Sequence, residues 1–169
     1  MRKPWRSLLG ASLALVAIAA LAAGASHRLL GQPAPDFALK ATSGTNFRLS
    51  EYRGQVVLVT FWGSRCGQCP AQLAAVSRLV DTYRSAGLAA LAVNVDDDQL
   101  AAAEFALRHP VSFPVLLDPD KKVARAYRVD NLPMLMLIDR SGTIRHVHRD
   151  HRSGDEKAWI GPIRELLDE

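Results

Sequence analysis

The chain has 169 residues, nearly half of them apolar, and a formal net charge of +4. Three of the positive charges, Arg2, Lys3 and Arg6, precede an uncharged run from Ser7 to Ser26, so the 144 residues after position 25 carry a formal charge of only +1. That balance removes support for a nucleic-acid-binding protein, and the length and apolar content suit one domain with a real core rather than a small scaffold held by disulfides.

The first element is a targeting segment. A positive start followed by a stretch dominated by Ala, Leu, Val and Ile reads as an export signal. Ala23-Gly24-Ala25 offers a small-x-small site for a signal peptidase, whereas roughly twenty apolar residues are also enough to span a bilayer uncut. Residues 1–26 are therefore read as a signal peptide or an N-terminal membrane anchor, with membrane contact expected only through residues 7–26 if they are retained. In both cases the positive end stays in the cytoplasm and the remainder is exported. Because no cysteine lies in or beside the run, lipid attachment at an N-terminal cysteine is excluded.

The exported part, residues 31–169, opens on the proline-rich Gly31-Gln-Pro-Ala-Pro-Asp-Phe37, an extended lead-in to short strands at Phe37–Leu39 and Phe47–Leu49 around a Ser43-Gly44 turn. Val56–Trp62 is a continuous apolar strand. Leu73, Val76, Val80 and Tyr83 then recur at helical spacing over 72–85, Gly87 stops the helix, and Leu88–Val95 is a second apolar strand. Together they make a βαβ unit with parallel strands. Asp96-Asp97-Asp98 leads into a helix to about Arg108 with Leu100, Phe105 and Leu107 as inward candidates, and Pro110 ends it. A short strand at Val115–Leu117 follows, and Asp118-Pro119 reads as an N-cap with proline at the first helical position, opening a helix to about Tyr127. Met134–Ile138 and Thr143–Val147 form a hairpin around Arg140-Ser141-Gly142. Ser153 to Glu156 matches a capping box for a last helix bearing Trp159, Ile163 and Leu166, with Pro162 expected to kink or restart it.

The only two cysteines stand as Cys66-Gly67-Gln68-Cys69, directly after the first long strand. A strand feeding a Cys-x-x-Cys helix start puts the first sulfur where unpaired N–H groups and the helix dipole favour a thiolate. The second sulfur falls about a turn inside. This division suits thiol–disulfide exchange, in which Cys66 attacks and the shielded Cys69 resolves the mixed disulfide. A structural disulfide is disfavoured because so short a loop constrains little of the unfolded chain, and a closed zinc site wants four ligands.

Over about residues 31–168 the chain resembles the thioredoxin-like reductases of the TlpA, ResA and DsbE/CcmG type. The resemblance rests on Pro35-Asp36-Phe37, the run Gly54 to Trp62, the Cys pair, Val93-Asn-Val-Asp96, Phe113 to Asp118, and Leu132-Pro133 leading into Leu137 to Gly142. It implies an α/β thioredoxin-like fold, a central mixed sheet flanked by helices, with a βα insertion and an N-terminal strand extension. It also implies a reductase of extracytoplasmic protein disulfides, with apocytochrome c or a copper-site protein as client. The electrons would reside in the dithiol itself, with no other cofactor, and a membrane protein would recycle it. Pro133 matches the family's cis-proline, which makes Leu132 a substrate-binding residue through its N–H and C=O, with Trp62 as a further contact.

Several positions depart from the family pattern. Relatives carry a buried carboxylate six residues before the first Cys or three after the second, where this chain has Thr60 and Gln72, neither a base near neutral pH. Arg65 replaces a common Trp, and a cation there is expected to favour the Cys66 thiolate; Gln68 replaces a common proline, and Pro70 requires the helix to start near Gly67. His146, His148 and His151 with Asp150 raise a metal site, but the solvent face of an end strand is the stronger reading for the histidines, and a helix N-terminus is the stronger reading for Asp96 to Asp98. Two other functions fit the pattern less well. A peroxiredoxin-like peroxidase needs Thr or Ser where Gly63 stands, and a Sco-like copper metallochaperone needs Cys-x-x-x-Cys and a His near Pro133.

Overall fold

A computed structural model describes residues 27–169; the apolar leader, with its cleavage and anchor readings, lies outside the described residues. Seven strands, β1 (Ala38–Ala41), β2 (Asn46–Arg48), β3 (Val56–Trp62), β4 (Leu88–Asn94), β5 (Val115–Leu117), β6 (Met134–Ile138) and β7 (Ile144–Arg149), form one sheet in the order β2-β1-β5-β4-β3-β6-β7. Strands β3, β4 and β5 are parallel, and the remaining pairings are antiparallel. The helices are α1 (Cys69–Tyr83), α2 (Gln99–Arg108), α3 (Lys122–Ala126) and α4 (Lys157–Asp168). This is the thioredoxin-like mixed α/β fold.

Every residue of β3 is buried because both faces of the sheet are covered. The two-residue period of the strand sorts Val56, Leu58 and Trp62 into a layer with α1, α2 and α4, and Val57, Val59 and Phe61 into a layer with α3 and the N-terminal segment. Each fully buried side chain of this size contributes about 1.5–3 kcal/mol. Register Trp62↔Asn94 brings the ends of β3 and β4 side by side, so the loops that follow them share one edge of the sheet. Sites gather at such carboxyl ends.

Four local expectations change. In α2 the buried residues are Ala102 and Phe105, while Leu100 and Leu107 are 77% and 83% exposed. The small Ala102 lets the helix settle close on the sheet, and that contact sets its rotation. The helix predicted from Asp118 begins only at Lys122, because Lys121 adopts a left-handed φ of 55°. Asp118 instead reaches into the helix, its Oδ2 accepting Ala124 N–H at 2.8 Å. Ser153 does not cap α4; Glu156 is its N-cap residue and Glu156 Oε2 accepts Gly154 N–H at 2.9 Å. Pro162 sits inside α4 without ending it, and Trp159, Ile163 and Leu166 are buried as predicted.

The histidines also move from their expected place. Pairing of His148 with Leu135 and of His146 with Leu137 puts both on the face covered by α4. The rings of His148 and His151 lie 5.7 and 5.2 Å from that of Trp159, and His148 Nε2 and His151 Nδ1 are buried without a hydrogen-bond partner. Burial, with His146 beside it, holds His148 below the usual imidazole range, and burial does the same for His146. The folded protein therefore binds fewer protons than the unfolded chain. Stability present above the unfolded histidine value of about 6.5 is lost as pH falls through it. The urea midpoint is expected to drop between about pH 7.5 and about pH 5.5, and His148→Leu to shrink that drop.

Candidate active site

The two sulfurs lie at the edge where β3 passes into α1. Cys66 and Cys69 are joined as a disulfide with Cα atoms 5.4 Å apart. Cys69 has no exposed surface, whereas Cys66 is half-buried and packs on the same hydrophobic layer. Cys66 N–H donates to Gly63 C=O at 3.1 Å and Cys69 N–H to Cys66 C=O at 3.2 Å, so a tight turn precedes the helix. Cys69 is the first helical residue and Pro70 the second, two residues later than the expected start. The proline is tolerated because its missing N–H is still among those a helix leaves unpaired.

Asp96 is a site residue that the sequence reading missed. Its Oδ2 accepts Ser64 N–H and Asn94 Nδ2, both at 2.8 Å, and Asn94 Oδ1 accepts Asp96 N–H at 3.0 Å. The carboxylate thus ties the loop after β4 to the loop carrying Cys66. Of its neighbours, Asp98 caps α2 through Leu100 and Ala101 N–H, the predicted role, and Asp97 pairs with Lys121 at 3.0 Å. The sequence signals for Asp96 are its place just past a parallel strand and in the Val93 to Asp96 segment that carries the resemblance.

On the other side of the loop, Leu132-Pro133 is a cis peptide. Leu132 Cδ1 stands 3.3 Å from where a Cβ on Gly63 would lie, which places the proline loop beside the cysteine loop. Leu132 N–H donates to Asn131 Oδ1 at 2.9 Å, and the Asn131 amide meets Asp150. A strand that pairs with Leu132 N–H must displace Asn131.

Trp62, expected to touch substrate, does not offer a surface for it. Its side chain is 1% exposed and stacks on Phe105 with centroids 4.7 Å apart, and its carbonyl accepts Val95 N–H at 3.0 Å. As an inward-pointing strand residue it belongs to the core layer on which the pair packs.

Residues 30–147 match the AhpC/TSA family. The chain belongs to that family. It is 37% identical over 118 residues to the thiol-disulfide oxidoreductase ResA of Geobacillus kaustophilus, covering 70% of this chain and 68% of that one. It is 33% identical over 152 residues to the ResA of Bacillus subtilis, covering 85% of each. Among solved structures it is similar to a crystal structure assigned as the thiol:disulfide interchange protein DsbE of Chlorobium tepidum, with TM-score 0.78, 34% identity, and coverage of 82% and 97%. With these relatives, this AhpC/TSA member is a thiol-disulfide oxidoreductase.

In this family member the two positions without a carboxylate face each other. Gln72 Nε2 donates to Thr60 Oγ1 at 2.7 Å, and both side chains are buried, Gln72 one turn into α1 from Cys69. A neutral pair therefore fills the space. Arg65 and Gln68 are exposed: Arg65 lines a hollow with the Asp96 to Asp98 run, and Gln68 is the N-cap of α1 with no side-chain cap bond. A side chain at Gly63 would fit tightly, since a Cβ would lie 3.1 Å from Asp96 Oδ1 and 3.3 Å from Leu132 Cδ1. Among the described residues no group of three or more His, Cys, Asp or Glu is placed to hold a metal ion, and no helix is long and apolar enough to cross a membrane.

Proposed function

We propose that the protein is an exported reductase that passes the electron pair of its Cys66/Cys69 dithiol to disulfides of extracytoplasmic partner proteins. The observation that carries this reading is the contrast between a partly exposed Cys66 and a fully buried Cys69 bonded to it at a helix start. Only one of the two can meet a partner.

In the reduced protein the Cys66 thiolate, favoured by the unpaired N–H groups of the α1 start, attacks one sulfur of the client disulfide. The Cys66–client bond forms, the client S–S bond breaks, and the first client sulfur leaves as a thiolate that takes up a proton. Cys69 then loses its proton and attacks Cys66 Sγ. The Cys66–Cys69 disulfide forms and the second client thiol departs, so two electrons have moved from protein to client. With Thr60 and Gln72 unable to serve as base, the departing client thiolate or water takes the Cys69 proton. Leu132 holds the client backbone, and the Arg65 cation supports the thiolate.

No further cofactor is needed, because the dithiol stores the electrons. A membrane donor of dithiol chemistry restores it, and the resemblance points to apocytochrome c or a copper-site protein as client. The apolar leader supports a location in the periplasm or on the outer face of the cytoplasmic membrane. Reduction of insulin disulfides tests the reading. Turnover is expected for the unaltered protein and none for Cys66→Ser; an active Cys66→Ser protein, or peroxide consumption without insulin reduction, overturns it.

A further inference from the structure

Three hollows join into one trench that leaves the cysteine loop. The first, about 370 Å³, lies between Ser64-Arg65 and the Asp96 to Asp98 run and is closed by Lys121 and Leu132. Lys121 and Leu132 also line the second, about 400 Å³, which continues past α3 to Arg125 and Val129. Arg125 and Val129 in turn line the third, about 550 Å³, bounded by Arg28, Arg128 and Arg149. The shared walls set the three hollows end to end.

Charge changes sign along it. At the cysteine end the aspartates are engaged: Asp96 by Ser64 and Asn94, Asp97 by Lys121, Asp98 by α2. At the far end four arginines surround one carboxylate, Asp130, which Arg149 meets at 3.5 Å. Among the described residues Arg28, Arg125 and Arg128 make no ion pair, and all three are exposed. Arg128 is held at φ 52°, a left-handed conformation that costs a non-glycine residue energy. Its carbonyl accepts from His27 Nε2 at 3.4 Å, which fixes the N-terminal segment, and hence Arg28, against the same hollow. So many like charges, unneutralised within the domain, attract an anion from outside, and the guanidinium fork suits carboxylates.

We propose that this trench docks an acidic segment of the client protein, lying to one side of the disulfide that Cys66 attacks. The inference deepens the reductase reading and rests on it: a client strand seated at Leu132 carries its flanking residues toward Arg125 and Arg28. A strand advances about 3.3 Å per residue, so the acidic residues belong several positions from the client cysteine, beyond the repelling Asp96 to Asp98 run.

The test uses the full-length chain in uncharged detergent, reduced and freed of reductant. It is mixed with either of two synthetic peptides, each closed by one disulfide, with a tail of glutamates or of glutamines. In each reaction the peptide disulfide is reduced to two thiols as the Cys66/Cys69 dithiol becomes a disulfide, and the single-turnover rate is read by acid quench and mass. The glutamate-tailed peptide is expected to react about tenfold faster at low salt, an advantage that shrinks as ionic strength rises. In Arg28→Glu/Arg125→Glu that preference disappears or reverses, and in the milder Arg125→Ala it weakens. Equal rates for the two peptides in the unaltered protein overturn the proposal, as does a preference that survives in both variants. If neither peptide reacts, the reductase reading itself fails. Equal peptide rates together with arginine-dependent binding to phosphatidylglycerol vesicles assign the surface to membrane headgroups and overturn the client role.

Discussion

Cys69→Ser strands clients on the protein. With the resolving thiol gone, the Cys66–client disulfide can be released only by a thiol from solution. The oriented neighbour it replaces acts with an effective molarity that reaches about 10⁵ M in favourable intramolecular cases. Release therefore slows by orders of magnitude, and mixed disulfides accumulate that dithiothreitol dissolves. The fold tolerates the change, because serine is close in size to cysteine and the lost cross-link closes too short a loop to stabilise the domain much. Non-reducing electrophoresis with mass identification of the trapped partners is the measurement. A protein in which Cys66→Ser traps clients and Cys69→Ser does not would reverse the two roles, against the exposure of one sulfur and the burial of the other.

Trp62→Ala destabilises the domain by about 3–5 kcal/mol, the range for removing a large aromatic side chain from a packed core. Trp62 is buried in the layer that includes Leu73, Phe105 and Cys69, so its loss opens a cavity in the core layer on which the disulfide packs. Trp62→Phe is expected to cost much less: a ring still covers Phe105, and the change removes an indole N–H that is buried without an acceptor. Denaturant midpoints at constant m-value measure both. If Trp62→Ala keeps full stability and instead raises KM for insulin, the residue belongs to the client surface after all.

The elements legible in the sequence were those whose signal is local. The apolar run of β3 and its end at Trp62, the β3 and β4 pairing, the β5 segment and the hydrophobic stripe of α4 all follow from periodicity and length, and the structure places them accordingly. The misreadings share one cause. Leu100 and Leu107 outscored Ala102 as core residues because hydrophobicity is read residue by residue, whereas close approach to a sheet rewards a small side chain. His146 and His148 looked solvent-facing on an end strand because nothing local announces that α4 returns to cover that face.

The site divides in the same way. By itself the sequence determined a Cys-x-x-Cys at a strand-to-helix junction and an X-Pro step just before a later strand, since a redox pair and an X-Pro step are each written in neighbouring residues. Tertiary structure alone decided that Asp96 holds the cysteine loop, that Trp62 is buried in the core, and that Arg28, Arg125, Arg128 and Arg149 meet around one hollow. These are contacts between residues tens of positions apart. They exist only once the sheet order β5-β4-β3-β6 has set the loops of separate strands against each other, and no periodicity along the chain encodes that.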